Sequence, residues 1–413
     1  MRRILHIDFN SFFASVECFH RPELRPFPVA VAGDPEKRHG IILAKNESAK
    51  RFGVKTGEAI WQAKQKCPNL VCVAPHYDEY LRFSRLGKML YHEYSDRIEA
   101  FGLDENWVDI TGRTRDFSEA EAMAEEIRHR VKEELGITVS VGLADNKVFA
   151  KLGSDLKKPD ALTVISPGNY ESTVWPQPVE SLLLVGRATK ARLNDLGIFT
   201  IGELAHTDPS VLYARLGKNG ATLHRFANGR DTSPVLSYGE EPPVKSIGNG
   251  ITAPRDLVNA EDIRLTLLML CESVAERLRA HGFRAATVAV AVRDCGLYSF
   301  TRQRRLKQPT ALTEELLEAS MQLFTQNYHW HMPVRSLTVS ASDLLSDSVP
   351  LQLSLWGEEE QRCRRERAEQ AVDEIRKRFG HHAILRGRLL SDAAIGRMNP
   401  KEEHTVHPQG YRL

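Results

Sequence analysis

The chain has few cysteines, little net charge and no long apolar run, and each scarcity narrows what it can be. Its six cysteines, Cys18, Cys67, Cys72, Cys271, Cys295 and Cys363, form no Cys-x-x-Cys pair and no zinc-ligand spacing with histidine. That excludes a disulfide scaffold and a zinc module, and implies reduced, mostly buried thiols in a reducing compartment. No stretch approaches the ~20 apolar residues of a membrane-spanning helix. The apolar run after Met1 is short and ends on Asp8, so no signal peptide is read, no membrane is expected and the expected location is cytoplasmic. Repeats and low-complexity tracts are missing, and His381, His382, His404 and His407 lack metal-ligand spacing. A net charge of +2 neither demands nor excludes a polyanionic partner, because the distribution of charge decides that. What remains, 42% hydrophobic and 27% charged residues over 413 positions, is globular and long enough for two to four domains.

The chain is organised around Phe101-Gly102-Leu103-Asp104-Glu105-Asn106-Trp107-Val108-Asp109-Ile110-Thr111-Gly112. Trp107 to Thr111 is rich in β-branched and aromatic residues and reads as a strand. Neighbouring strand residues point to opposite faces, so Asp104 and Glu105 address one site only through a tight turn, which Gly102 permits. A second short strand, Arg3 to Phe9, ends on Asp8. If the two strands pair, three carboxylates meet. They repel one another unless cations neutralise them, and hard oxygen ligands select Mg²⁺ or Mn²⁺. The chemistry that uses such a cluster is two-metal phosphoryl transfer. Taken alone, an Asp-Glu pair after a glycine also suits a solvated loop.

The joint pattern Asp8-Phe9-Asn10-Ser11-Phe12-Phe13-Ala14-Ser15-Val16-Glu17 with Leu103-Asp104-Glu105 resembles the two catalytic motifs of the Y-family DNA polymerases, the lesion-bypass group. Asn146-Lys147, Ala150-Lys151 and Lys158-Pro159 resemble a further motif of that family, in register. The resemblance implies an α+β multidomain right hand: palm at 1–10 and 76–165, fingers at 11–75, helix-hairpin-helix thumb at 166–237, linker at 238–245 and little finger at 246–345. Residues 346–413 would hold a clamp-binding segment and a basic C-terminal region, with ten Lys/Arg against five Asp/Glu between Gln361 and Arg397.

The resemblance also assigns roles. Asp8, Asp104 and Glu105, with the backbone carbonyl of Phe9, would hold two Mg²⁺ ions, for which Mn²⁺ substitutes. Phe12 and Phe13 would contact the nucleotide, Phe13 as the steric gate against a 2′-OH; read from spacing alone, they are core. Lys158 would reach the phosphates. Asn10 stands where an additional Asp is common. At the usual Tyr and Arg of the triphosphate site stand Glu47 and Lys50, and Glu47 is expected to pair with Lys50 or Lys45.

In the thumb, Gly186, Arg187 and Lys190 would grip a DNA phosphate, with Leu184 where the hairpin usually begins on glycine. In Tyr298 to Lys307, period two places Arg302 and Arg304 on one face with Leu306, and Arg305 and Lys307 on the other. Arg302 and Arg304 form the row expected to track a DNA backbone; a charged edge strand that blocks aggregation is the alternative. Pro350-Leu351-Gln352-Leu353-Ser354-Leu355-Trp356 is similar to a bacterial sliding-clamp motif, anchored by Gln352, Leu353, Leu355 and Trp356. The implied partners are primer-template DNA, dNTP and the clamp, the implied state is a monomer, and synthesis is of low fidelity and low processivity. The alternatives are a catalytically weak clamp- and DNA-binding accessory protein and another palm-domain phosphotransferase such as a nucleotide cyclase.

Overall fold

The computed structural model describes residues 1–34, 40–240, 243–349, 358–396 and 398–399. They form two compact units, one within 1–240 and the other within 243–399. The clamp-like stretch Gln352 to Trp356 lies outside the described residues.

The first unit begins with β1 (Ile4–Phe9) and α1 (Phe12–His20), followed by β2 (Val29–Ala32), β3 (Ile42–Lys45), α2 (Glu47–Arg51), α3 (Ile60–Lys66) and β4 (Val71–Val73). Then come α4 (Tyr77–His92), β5 (Ile98–Ala100), β6 (Glu105–Asp109), α5 (Phe117–Leu135), β7 (Val139–Ala144), α6 (Lys147–Leu156) and β8 (Leu162–Ile165). Five of the strands make one sheet in the order β5-β6-β1-β7-β8. Every residue of β1 is buried, as a central strand covered on both faces requires. Leu5, Ile7 and Phe9 pack with Val108, Tyr80, Phe83 and Tyr91 beneath α4 and α5. Ile4 and Trp107 pack with Val148, Phe149 and Leu152 of α6 on the other face.

Local chemistry sets the helix ends. Asn46, Asp116 and Asn146 each cap a helix start by accepting from a backbone N–H three residues on, and Gly136 ends α5 in the left-handed region at φ 68°. The sheet is mixed, since β8 runs parallel to β7, a geometry made possible by the α6 crossover between them. The segment after α1 holds the three-stranded sheet β3-β2-β4, whose three- and four-residue strands are too short to show a period.

The rest of the first unit is helical: α7 (Tyr170–Val174), α8 (Arg187–Asn194), α9 (Ile201–His206), α10 (Pro209–Leu216) and α11 (Lys218–Ala227). The second unit contains β9 (Ser246–Leu257), α12 (Ala260–Ala280), β10 (Phe283–Asp294), β11 (Ser299–Thr310), α13 (Thr313–Asn327), β12 (Val334–Ser346) and α14 (Glu358–Phe379). Its antiparallel sheet runs β11-β10-β12-β9, with the apolar faces of α12 and α13 against one side. α14 docks by charge: Arg362 pairs with Glu315, Glu369 and Asp373 with Arg279, and Arg376 with Glu272. The cysteines are less buried than expected. Cys18, Cys67 and Cys271 are buried, Cys72 is half-buried, and Cys295 and Cys363 are exposed.

Candidate active site

Strand register assembles the acids. β1 pairs antiparallel with β6 so that Asp8 stands directly opposite Glu105, and the Phe9 N–H donates to the Asp104 carbonyl at 3.1 Å. Directly opposed residues share a face. Asp8, His6, Glu105 and Trp107 therefore all face α6.

That helix lies unusually close to the sheet. Gly142 of β7 meets Gly153 of α6, and a Cβ on Gly142 would stand 1.9 Å from the Ala150 carbonyl oxygen. The close approach brings Lys151 and Asp155, one turn apart on α6, and Lys158, just past its C-terminal end, up to the acids. Lys151 Nζ lies 2.8 Å from Glu105 Oε2 and 3.3 Å from Asp155 Oδ2. Lys158 Nζ lies 2.7 Å from Asp8 Oδ2 and 2.7 Å from Asp155 Oδ1. His6, fully buried, has Nδ1 2.8 Å from Ser154 Oγ and Nε2 3.5 Å from Glu105 Oε2. Lys151, Asp155 and His6 had no role in the sequence reading. The four- and three-residue spacing of Lys151, Asp155 and Lys158 was the signal for the first two, and His6 left none.

Burial perturbs these groups strongly. It pushes the Asp8 carboxyl up to about 7 against the pull of Lys158, and Glu105 adds to the rise. Burial and then Glu105 raise Asp104. Burial works to raise Glu105 too, but the His6 contact and the Lys151 charge override it and hold Glu105 at about 2. Burial lowers His6 to about 4, which keeps the ring neutral.

The residues expected to face a nucleotide gather around α1. Phe12 is buried, while Phe13 is half-buried with its ring stacked on Tyr80 at 4.1 Å and 8°. Tyr80 is itself fixed by its hydroxyl, which donates to the buried Glu17. Asn10 is structural: its Oδ1 accepts from Thr138 Oγ1 and the Asp160 N–H, and its Nδ2 donates to Ser140 Oγ. Glu47 pairs with Lys50 and accepts from Ser11 Oγ at 3.1 Å, whereas Lys45 donates to Thr56. Of the two partners expected for Glu47, Lys50 is the one it takes.

Gly186 sits at the N-terminus of α8, with Arg187 as the first helical residue; Lys190 pairs with Glu180 at 2.6 Å. Leu184 adopts φ 72°, the left-handed conformation that costs an L side chain about 1–2 kcal/mol and that a glycine takes freely. In the second unit the basic strand β11 is an edge, as its sequence suggested, but the rows face otherwise than expected. Arg302 and Arg304 pair with Val290 and Val288, which are buried under the helices, and Arg304 donates to Gln322 of α13. Period two told which residues share a face, not which face the helices cover. The uncovered face carries Thr301, Gln303 and Arg305 of β11, with Thr287, Ala289, Ala291 and Arg293 of β10 and Ser336, Thr338, Ser340 and Ser342 of β12 opposite.

The comparisons with known proteins agree with this fold and site. The impB/mucB/samB family model matches residues 7–155, and that family's C-terminal domain matches 244–355. A DNA polymerase IV of Acetivibrio thermocellus is 48% identical over 397 residues, covering 96% of this chain and 100% of its own. DNA polymerase IV 1 of Bacillus subtilis is 36% identical over 395 residues, covering 94% and 93%. A Y-family DNA polymerase chimera of Dbh and Dpo4 superposes with a TM-score of 0.74 at 23% identity, over 83% of this chain and 99% of its own. The chain belongs to the Y family of DNA polymerases, alongside the DNA polymerases IV. It is a DNA-directed DNA polymerase of the translesion class, which sets aside the cyclase and accessory-protein alternatives.

Family membership carries a dependence on divalent metal. The donor chemistry fits one, since Asp8 faces Glu105 across paired strands, Asp104 directly precedes Glu105, and burial and Glu105 push Asp8 and Asp104 up. Among the described residues no three Asp, Glu, His or Cys side chains converge as a ready cage. Asp8 and Glu105 instead turn an oxygen each to Lys158 and Lys151.

Proposed function

We propose that the first unit transfers nucleotides from dNTP to a primer 3′ end, with Asp8, Asp104, Glu105 and the Phe9 carbonyl as ligands for two Mg²⁺ ions. The observation that carries this reading is the register that sets Asp8 against Glu105 with Asp104 one residue before it, all at one end of a sheet. When bound, Mg²⁺ supplies Lewis-acid charge that lowers the pKa of the primer 3′-OH and neutralises the reacting phosphate. The chain's own groups do the rest. Lys158 and Lys50 bring cationic charge toward the triphosphate. The Phe13 ring, held by its stack on Tyr80, stands against the 2′ position of the sugar. Burial keeps bulk water from the acids and strengthens each of these interactions.

In this reading the sheet β5-β6-β1-β7-β8 is the palm, the β3-β2-β4 segment the fingers, α7 to α11 the thumb and the second unit the little finger. The Gly186 turn with Arg187 and Lys190 grips a phosphate. The uncovered sheet face with Arg293, Arg305 and Lys307 meets the DNA backbone, small Ser, Thr and Ala side chains letting the duplex approach. A low-fidelity, low-processivity monomer recruited in the cytoplasm by the sliding clamp, through Gln352 to Trp356, completes the proposal.

Primer extension with Asp104→Ala is the test. Incorporation is expected to fall at least about a thousandfold while primer-template affinity stays within about twofold, because the charge removed stabilises the transition state and does not touch the duplex. Retained incorporation would overturn the assignment.

A further inference from the structure

We infer that Asp155 is a positioning residue for the transfer step, the alternative carboxylate that holds Lys151 and Lys158 when Asp8 and Glu105 turn to divalent metal. The inference rests on the metal-site reading above. Each ammonium group is shared between one proposed metal ligand and Asp155. Lys158 bridges Asp8 Oδ2 and Asp155 Oδ1, both at 2.7 Å; Lys151 bridges Glu105 Oε2 at 2.8 Å and Asp155 Oδ2 at 3.3 Å. The two lysines use different oxygens of Asp155, so the one carboxylate serves both at once. An ammonium carries three donors and can keep one partner while releasing the other.

The positions of the acids favour this division of labour. The Asp8 and Glu105 side chains are 7% and 22% exposed, whereas that of Asp155 is 46% exposed and stands on the helix, outside the strand pair. In charge, Asp8, Asp104, Glu105 and Asp155 set four negative groups against two lysines. The excess of two negative charges attracts divalent cations, but both lysines sit on oxygens those cations need. Without Asp155 the lysines would keep, among the described residues, Asp8 and Glu105 as their carboxylate partners and would compete with the metal for them. The same pairing explains why the acids do not stand as a preformed cage among the described residues. Asp155 also lies on α6, the helix that the Gly142–Gly153 contact seats on the sheet, so its place beside both lysines is set by packing.

The test measures Mn²⁺ binding by electron paramagnetic resonance, using the full chain with a dideoxy-terminated primer-template and saturating dNTP. Asp155→Asn is expected to weaken Mn²⁺ binding about tenfold, the scale of one partly screened ion pair. Asp155→Glu is expected to restore it to within about threefold. A lost negative charge would by itself weaken metal binding through space, so the deciding arm repeats Asp155→Asn in a Lys151→Met, Lys158→Met background. There only the through-space part should remain, about threefold or less, since no lysine remains to be held. Unchanged Mn²⁺ affinity in Asp155→Asn, or the same weakening with and without the lysines, overturns the inference alone. Wild-type Mn²⁺ affinity in Asp104→Ala overturns the site reading, and this inference with it.

Discussion

Replacing Gly142 with alanine tests whether the close seat of α6 on the sheet makes the site. The added Cβ would stand 1.9 Å from the Ala150 carbonyl oxygen, 2.5 Å from the Ser154 nitrogen and 2.9 Å from the Gly153 carbonyl carbon, all backbone atoms that cannot rotate away. An ordinary carbon-to-oxygen contact is about 3.3 Å, so α6 must retreat by about 1.4 Å. Overpacking of this kind costs about 1–3 kcal/mol, and a backbone clash belongs at the upper end. For a unit of this size about 3 kcal/mol lowers Tm by roughly 6–12 °C. The same retreat carries Lys151, Ser154 and Asp155 away from Glu105, His6 and Lys158. A misplacement of about 1 Å at reacting groups costs about a hundredfold in rate. Thermal unfolding by circular dichroism and single-turnover incorporation at saturating dNTP measure the two effects together. A Gly142→Ala protein that melts within about 1 °C of the parent and incorporates within twofold would refute the reasoning, because the helix would then have no need to sit where it does.

Two further outcomes follow from the site and from the sheet. Asp8 is pushed up to about 7, and only its deprotonated form ligates a cation, so protons compete with metal below that pH. The Mg²⁺ concentration for half-maximal primer extension should rise about tenfold per unit as pH falls below about 7 and level off above it; a flat profile would mean that Asp8 is ionised throughout. In the second unit, removing both Arg305 and Lys307 should reduce the salt dependence of primer-template binding by about two counterions, measured by fluorescence anisotropy across a salt series. Removing Arg302 and Arg304 should change it by less than one, since both lie on the helix-covered side. Equal losses from the two pairs would show that the open sheet face is not the contact.

Local patterns in the sequence carried much of this. The starts of α2 and α6 are written locally, at Asn46 and Asn146, because a capping side chain acts within three residues. The motif pair around Asp8 and Asp104 named the candidate acids, and the structure sets Asp8 opposite Glu105 on neighbouring strands, with Asp104 one residue before Glu105. The pairing of Glu47 with Lys50 was also foreseeable, as a contact three residues apart on one helix. The strands β3 and β4 escaped, since three or four residues give periodicity nothing to repeat.

What the sequence determined alone is therefore the candidate acids, the longer strands and helices, and which side chains share a face, all of which depend on neighbours a few residues away. Only the tertiary structure decided which face is covered. It turned Arg302 and Arg304 toward α13, seated α6 on Gly142, and brought His6, Lys151 and Lys158 to the acids from positions up to 150 residues apart. The reason is physical: period two and period 3.6 are properties of one segment, but the choice of buried face belongs to the pair of surfaces that meet.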